Sequence, residues 1–120
     1  MSTPDNGPDT MQVLTEAYDR QIPDRLRDIE EALVALATRW DRDVLDALHR
    51  LAHRLAGSAG IYGYSGLSAA AGALEDFVVT VMEDPSSPEG DQDRLRTLVD
   101  AVKLVAAAER RPEGGRARRA

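Results

Sequence analysis

Apolar side chains recur along this chain at alternating intervals of three and four residues, and this spacing restricts its fold more than any other feature. One run begins at Ile22 and continues at such intervals to Trp40, and similar runs cover about 44–55, 67–82 and 95–106. This interval places the apolar residues of a run on one side of an α-helix. No window keeps the period of two that predicts a strand. Because short connections make neighbouring long helices antiparallel, the sequence predicts an all-α, antiparallel up-down-up-down four-helix bundle.

Composition limits the classes of protein that this bundle could belong to. The net charge of -6 argues against a nucleic-acid-binding protein, and the lack of cysteine excludes disulfides and thiolate sites. No run of about 18 apolar residues is present, so no membrane span is expected. The polar, proline-containing start does not resemble a secretory signal. A cytoplasmic, monomeric protein is therefore expected.

Turn-forming and charged residues divide the chain into three predicted parts. Residues 1–9 are polar and contain two prolines, and residues 111–120 combine glycines with several arginines. Both segments are predicted to be disordered, the first as an arm and the second as a basic tail. Residues 10–110 are predicted to form the bundle.

Individual residues suggest where the helices begin and end. Pro23 suits a first helical turn, which predicts a short extra N-terminal helix over about 10–21 before the first long helix. Asp41 and Ser65 are predicted to cap the second and third long helices. The segment 84–90 contains two prolines and is predicted to be the loop before the last helix.

The two histidines of the chain, His49 and His53, both lie on the second long helix. At about 100° per residue, His53 projects roughly 140° from the centre of the apolar side, so it should face water. Ala56, Gly57 and Gly60 leave the same side of the helix with little side-chain bulk. A glycine inside a helix costs about 1 kcal/mol relative to alanine. This side therefore fits a surface that another protein must approach closely.

These residues resemble the signature of histidine-containing phosphotransfer (HPt) domains. The run His53–Ala59 reads His-Arg-Leu-Ala-Gly-Ser-Ala, and Gly63 and the pair Leu74-Glu75 follow it. In the family pattern, the histidine is followed by Leu at +2, Gly at +4, small residues at +5 and +6, and Gly at +10. A Leu-Glu pair stands on the next helix. The resemblance covers about 45–76 by motif and the whole bundle by helix count.

The resemblance implies a histidine phosphotransfer protein of a two-component phosphorelay. His53 would accept a phosphoryl group from the aspartate of one receiver domain and pass it to another. The implied partners are receiver domains of response regulators or a hybrid histidine kinase, and the receiver would supply a Mg²⁺ ion and a lysine. No cofactor is expected in the chain itself. It has no glycine-rich phosphate loop, so it is expected to be a phosphocarrier without kinase activity of its own.

A docking face for the receiver is expected around His53. Its members are His49, Arg50, Arg54, Ala56, Gly57 and Gly60. Ala56 departs from the family pattern, which often has lysine at this position. Help with the phosphoryl charge would then come from Arg50 or Arg54, or would be absent.

Two other interpretations are compatible with the sequence. The bundle could dock on a receiver or histidine kinase as a binding module that is never phosphorylated. The spacing of His49 and His53 is also that of a helical metal-binding pair. The sequence specifies no third ligand for a metal, so His49 is interpreted as a surface residue beside the docking face.

Overall fold

The computed structural model of the chain describes residues 10–84 and 88–110, which form four α-helices. The helices are α1 (Thr10–Thr38), α2 (Arg42–Ile61), α3 (Ser65–Glu83) and α4 (Pro88–Glu109). Helix α1 packs against α2, α2 against α3, α3 against α4, and α4 against α1. The predicted all-α four-helix bundle is confirmed. The predicted arm and basic tail lie outside the described residues.

Contacts near the helix ends show that neighbouring helices run antiparallel. The hydroxyls of Tyr18, early in α1, and Ser58, late in α2, are 2.7 Å apart. At the other end of the bundle, Nε2 of Gln92, early in α4, donates to the carbonyl of Leu36, late in α1, over 2.8 Å. The short connections 39–41 and 62–64 leave the chain no room to cross the bundle.

The core is aliphatic and draws on all four helices. Its largest fully buried side chains are Ile22, Ile29, Leu36, Leu48, Leu55, Leu67, Leu74, Val78, Val81, Leu95, Val99 and Val102. Burying each such side chain contributes about 1.5–3 kcal/mol relative to leaving it in water. Because Leu48, Ala52 and Leu55 of α2 face this core, the opposite side of α2 faces water.

Pro23 lies inside α1, so the prediction of a separate short helix before it is wrong. A proline in a helix interior removes one backbone hydrogen bond and costs about 3 kcal/mol. Packing of the first part of α1 offsets that cost. Tyr18 is buried and stacks on Tyr62 with ring centroids 4.7 Å apart. Asp19 accepts a hydrogen bond of 2.7 Å from the hydroxyl of Tyr64.

The predicted cap of α2 is confirmed, and the predicted loop before α4 proves too long. The carboxylate of Asp41 accepts a 2.7 Å hydrogen bond from the backbone N–H of Asp43. Helix α4 already begins at Pro88, so 88–90 are helical. Proline suits a first helical position because no intrahelical partner exists there for an N–H. Residues 85–87 lie outside the described part of the chain.

The start of α3 is capped by another helix, so the prediction of a Ser65 cap is wrong. Ser65 is the first residue of α3, and its neighbour at the cap position makes no side-chain cap bond. The carboxylate of Glu109, at the end of α4, accepts from the backbone N–H groups of Gly66 and Leu67, each over 2.8 Å. A Cβ on Gly66 would lie 2.5 Å from a carboxylate oxygen of Glu109. The glycine therefore makes room for this cap.

Helix α3 is long and apolar enough, by length and composition alone, to cross a membrane, with a mean hydropathy of 1.2. In the bundle it packs between α2 and α4. Leu67, Leu74 and Val78 of this helix are fully buried. These residues belong to the part of α3 that lies in the core, and 28% of the apolar window is buried.

Candidate functional site

His53 projects from the outer face of α2, as the helical projection predicted. Its side chain is 69% exposed. Ring nitrogen Nδ1 is 2.7 Å from Oε2 of Glu75, which reaches across from α3. A carboxylate oxygen can only accept, so Nδ1 carries the proton of this hydrogen bond. Nε2 makes no hydrogen bond within the described ranges, and it is therefore the free nitrogen of the ring.

A second imidazole approaches the same carboxylate oxygen. Nε2 of His49 is 3.6 Å from Oε2 of Glu75. This distance is too long for a hydrogen bond, but it is that of an ion pair when the imidazole is protonated. The rings of His49 and His53 are nearly parallel, with an interplanar angle of 14° and centroids 6.1 Å apart. Glu75 is thus flanked by both histidines of the chain.

The glycines beside His53 differ in the space around them. A Cβ on Gly57 would meet nothing within 4 Å, whereas one on Gly60 would lie 3.3 Å from Oγ of Ser68 in α3. That hydroxyl donates to the carbonyl of Ala56 over 2.7 Å, which brings α3 close to α2 here. The open surface next to His53 is therefore centred on Gly57, and Gly60 lies nearer to α3.

The structure places neither arginine of the predicted docking face in contact with Glu75. Arg50 is exposed and pairs with Asp46, one turn earlier in α2. Arg54 lies towards α1, where it lines a cavity of about 300 Å³ together with Asp24 and Asp28. The structure therefore gathers His49, Gly57 and Gly60 with His53, and places Arg54 on the α1 flank.

No metal-binding cluster is present in residues 10–84 and 88–110. Within these ranges, no group of three or more His, Cys, Asp or Glu side chains is arranged to hold an ion. The spacing of His49 and His53 instead places two imidazoles beside one carboxylate, that of Glu75.

Glu75 is the site residue that sequence reasoning missed. It belongs to the Leu74-Glu75 pair of the motif, but no role was assigned to it. Leu74 is fully buried, and the next residue of a helix lies about 100° around its axis. A side chain beside the core and facing α2 could have been expected at this position.

The structure is thus a four-helix bundle with an exposed histidine. Its Nδ1 is held by a carboxylate of the neighbouring helix, and its other ring nitrogen is free among the described residues. A comparison with protein families identifies it further. The model of the Hpt domain family matches residues 11–107, and the chain belongs to this family, the phosphotransfer modules of two-component systems. No curated protein and no solved structure matches the chain significantly.

Proposed function

We propose that this chain is the phosphocarrier of a phosphorelay, taking a phosphoryl group from a receiver-domain aspartate on Nε2 of His53 and passing it to a second receiver. The observation that supports this most directly is the 2.7 Å contact between Nδ1 of His53 and Glu75. Because this contact occupies Nδ1, the lone pair is left on the exposed nitrogen.

The proposed transfer requires no acid or base from the bundle. The Nε2 lone pair of His53 attacks the phosphorus of an aspartyl phosphate, and an N–P bond forms. The P–O bond to the aspartate breaks, and its electron pair returns to the receiver's carboxylate. The proton on Nδ1 stays in place, so the phosphorylated ring gains positive charge, which Glu75 offsets. Such transfers depend mainly on alignment and charge neutralisation, and Mg²⁺ in the receiver would supply much of the latter.

The receiver is proposed to dock over the open side of α2. Gly57 leaves free space one helical turn beyond His53. Two turns beyond His53, the side chain of Ile61 is 70% exposed. An exposed apolar side chain next to a helix surface with little side-chain bulk is suited to burial against a partner. His49 and Arg50 border this surface before His53, and Arg54 borders it on the α1 flank.

The experiment that tests the proposal uses receiver domains that carry radiolabelled phosphate on their aspartate, in the absence of ATP. We expect label to move to the chain and to be acid-labile, as a phosphoramidate is. Adding a second, unphosphorylated receiver should then remove it. A receiver that binds the chain without any transfer of label would show the alternative, a binding module that is never phosphorylated.

A further inference from the structure

Among the described residues, Glu75 is a largely buried carboxylate without a permanently charged partner. Its side chain is 21% exposed. In the part of the chain that the structure describes, its hydrogen-bonding and ion-pairing partners are the imidazoles of His49 and His53. Arg50 of α2 pairs with Asp46 instead. A carboxylate withdrawn from water must have its charge compensated by its neighbours.

His53 is poorly suited to compensate this charge before transfer. A ring that attacks phosphorus must be neutral, because a protonated imidazole has no free lone pair on either nitrogen. His53 can therefore give Glu75 a hydrogen bond in the resting state, but no net charge. His49 is under no such restriction, since its own nitrogens take no part in the proposed transfer.

We infer that His49 is a positioning residue that holds Glu75 against the ring of His53; this inference rests on the proposed function. The two histidines are one helical turn apart, so they present their rings to the same place above α2. Their nearly parallel rings direct one nitrogen each towards Oε2 of Glu75, at 3.6 Å from His49 and 2.7 Å from His53. Ala56 has no polar side-chain atom to offer.

By keeping the carboxylate in place, His49 determines which nitrogen of His53 is free. With Glu75 held at Nδ1, the proton stays on that nitrogen and Nε2 keeps its lone pair. Without His49, the carboxylate can turn towards water, because 21% of its side-chain surface is already exposed. The ring of His53 then loses its fixed orientation and its preference for the proton at Nδ1.

Two substitutions of His49 separate its polar contact with Glu75 from the space that its side chain fills. His49→Leu removes the polar contact with Glu75. Its rate of phosphate acceptance at saturating receiver should fall roughly tenfold, within the ~100-fold that angstrom-scale misplacement can cost. His49→Gln places an amide N–H near the position of the imidazole Nε2 and should restore most of the rate. Because His49 also borders the proposed docking surface, the receiver concentration at half-saturation is measured separately, and the positioning role is judged from the rate at saturation.

NMR can detect the effect of His49 on the ring of His53 in the isolated chain, without a receiver domain. The chain has two histidines, so ¹⁵N NMR of either variant shows the ring nitrogens of His53 alone. We expect the proton on Nδ1 in His49→Gln, and a shift towards the Nε2-protonated form in His49→Leu. This result would support the positioning role even if no receiver transferred phosphate, so failure of the proposed function would be recognised separately.

A double-mutant cycle with Glu75→Ala provides the decisive test. A residue that acts through Glu75 should have no further effect once that carboxylate is gone, so adding His49→Leu to Glu75→Ala should change neither the rate nor the ring-nitrogen signals of His53. The inference is overturned if His49→Leu keeps the wild-type tautomer and rate, or if it lowers the rate equally in both backgrounds.

Discussion

Asp19 and Glu75 are both largely buried carboxylates, but they differ in the kind of partner that each one has. Asp19 is 6% exposed, accepts a hydrogen bond from Tyr64, and lies 3.3 Å from the guanidinium of Arg110. The charge of an arginine is permanent under physiological conditions. Glu75 is flanked by two imidazoles, and an imidazole, unlike a guanidinium, can be neutral.

The difference shows how one chemical group serves two purposes in the same bundle. The Asp19 contacts join α1, the start of α3 and the end of α4, and thereby hold these elements together. The Glu75 contacts occupy one nitrogen of His53 and leave the other free. The charge pair at Asp19 stabilises the bundle, whereas the contact at Glu75 leaves one ring nitrogen of His53 available for reaction.

The largest effect is expected at the reactive ring itself. His53→Gln should abolish phosphate acceptance while leaving helicity and the free energy of unfolding unchanged, because the side chain is 69% exposed and makes no core contact. Labelled transfer from a phosphorylated receiver, with circular dichroism, measures both quantities. Undiminished label in the variant, or label on His49, would refute the assignment of the site.

The open surface beside the Glu75 site should be the next most sensitive position. Gly57→Gln should be tolerated by the fold, because a Cβ there meets nothing within 4 Å, and should stabilise α2 by up to about 1 kcal/mol. Transfer should slow by about 100-fold, since the receiver could no longer bring its aspartate within reach. A thermal melt and a transfer time course test this together. A variant that transfers at the wild-type rate would show that Gly57 is not part of the docking surface.

Removing each carboxylate in turn tests the comparison directly. Asp19→Ala should lower the free energy of unfolding by about 2 to 3 kcal/mol, because it removes the carboxylate that accepts from the buried Tyr64 hydroxyl and pairs with Arg110. Glu75→Ala should lower it by less than about 1 kcal/mol, but it should slow transfer. Urea unfolding measures the loss of stability. Transfer assays, run well below the urea concentration of the unfolding midpoint, measure the loss of activity separately. Equal losses of stability would mean that both carboxylates are structural.

A smaller effect is expected where Glu109 caps α3. Gly66→Ala would displace the Glu109 carboxylate from two backbone N–H groups, at a cost of about 1 kcal/mol. Gly72→Ala in the same helix is the matched control. Its Cβ would meet nothing within 4 Å, so it should stabilise α3 by up to about 1 kcal/mol. Chemical denaturation of the two variants should give changes of opposite sign.

The smallest effect is expected for an ion pair that is exposed rather than buried. Lys103 of α4 lies 2.5 Å from Glu30 of α1, and this hydrogen bond raises the pKa of Lys103 above its ordinary value of 10.5. The contribution of this ion pair to stability is therefore present below pH 10.5 and is lost as the pH rises through the raised pKa of Lys103. Lys103→Met should barely change the melting midpoint at pH 7, and the difference should vanish at higher pH. A loss as large as that of Asp19→Ala would contradict the contrast between buried and exposed pairs.

The sequence was sufficient for the features that depend on one helix at a time. The spacing of apolar residues predicted the bundle, and the projection of α2 predicted the exposure of His53. The Asp41 cap was predictable because its partner, Asp43, is two residues away.

Features that depend on contacts between helices were not predictable in the same way. The continuation of α1 through Pro23 depends on the stacking of Tyr18 against Tyr62, more than forty residues away. The Glu109 cap depends on where α4 ends relative to α3. The role of Glu75 depends on the rotation of α3 against α2, which a linear motif does not specify.

The contacts of the last turn of α4 have a consequence for the order of folding. Glu109 and Arg110 bind partners that are 43 and 91 residues earlier in the chain. Closing such long loops is entropically costly, and non-local contacts of this kind slow folding relative to local helix formation. The helices can form early from local interactions, but α3 lacks its cap and Asp19 lacks its guanidinium until this turn docks. The bundle is therefore expected to fold as one cooperative unit, in which α1 is fully stabilised only after the end of α4 has docked.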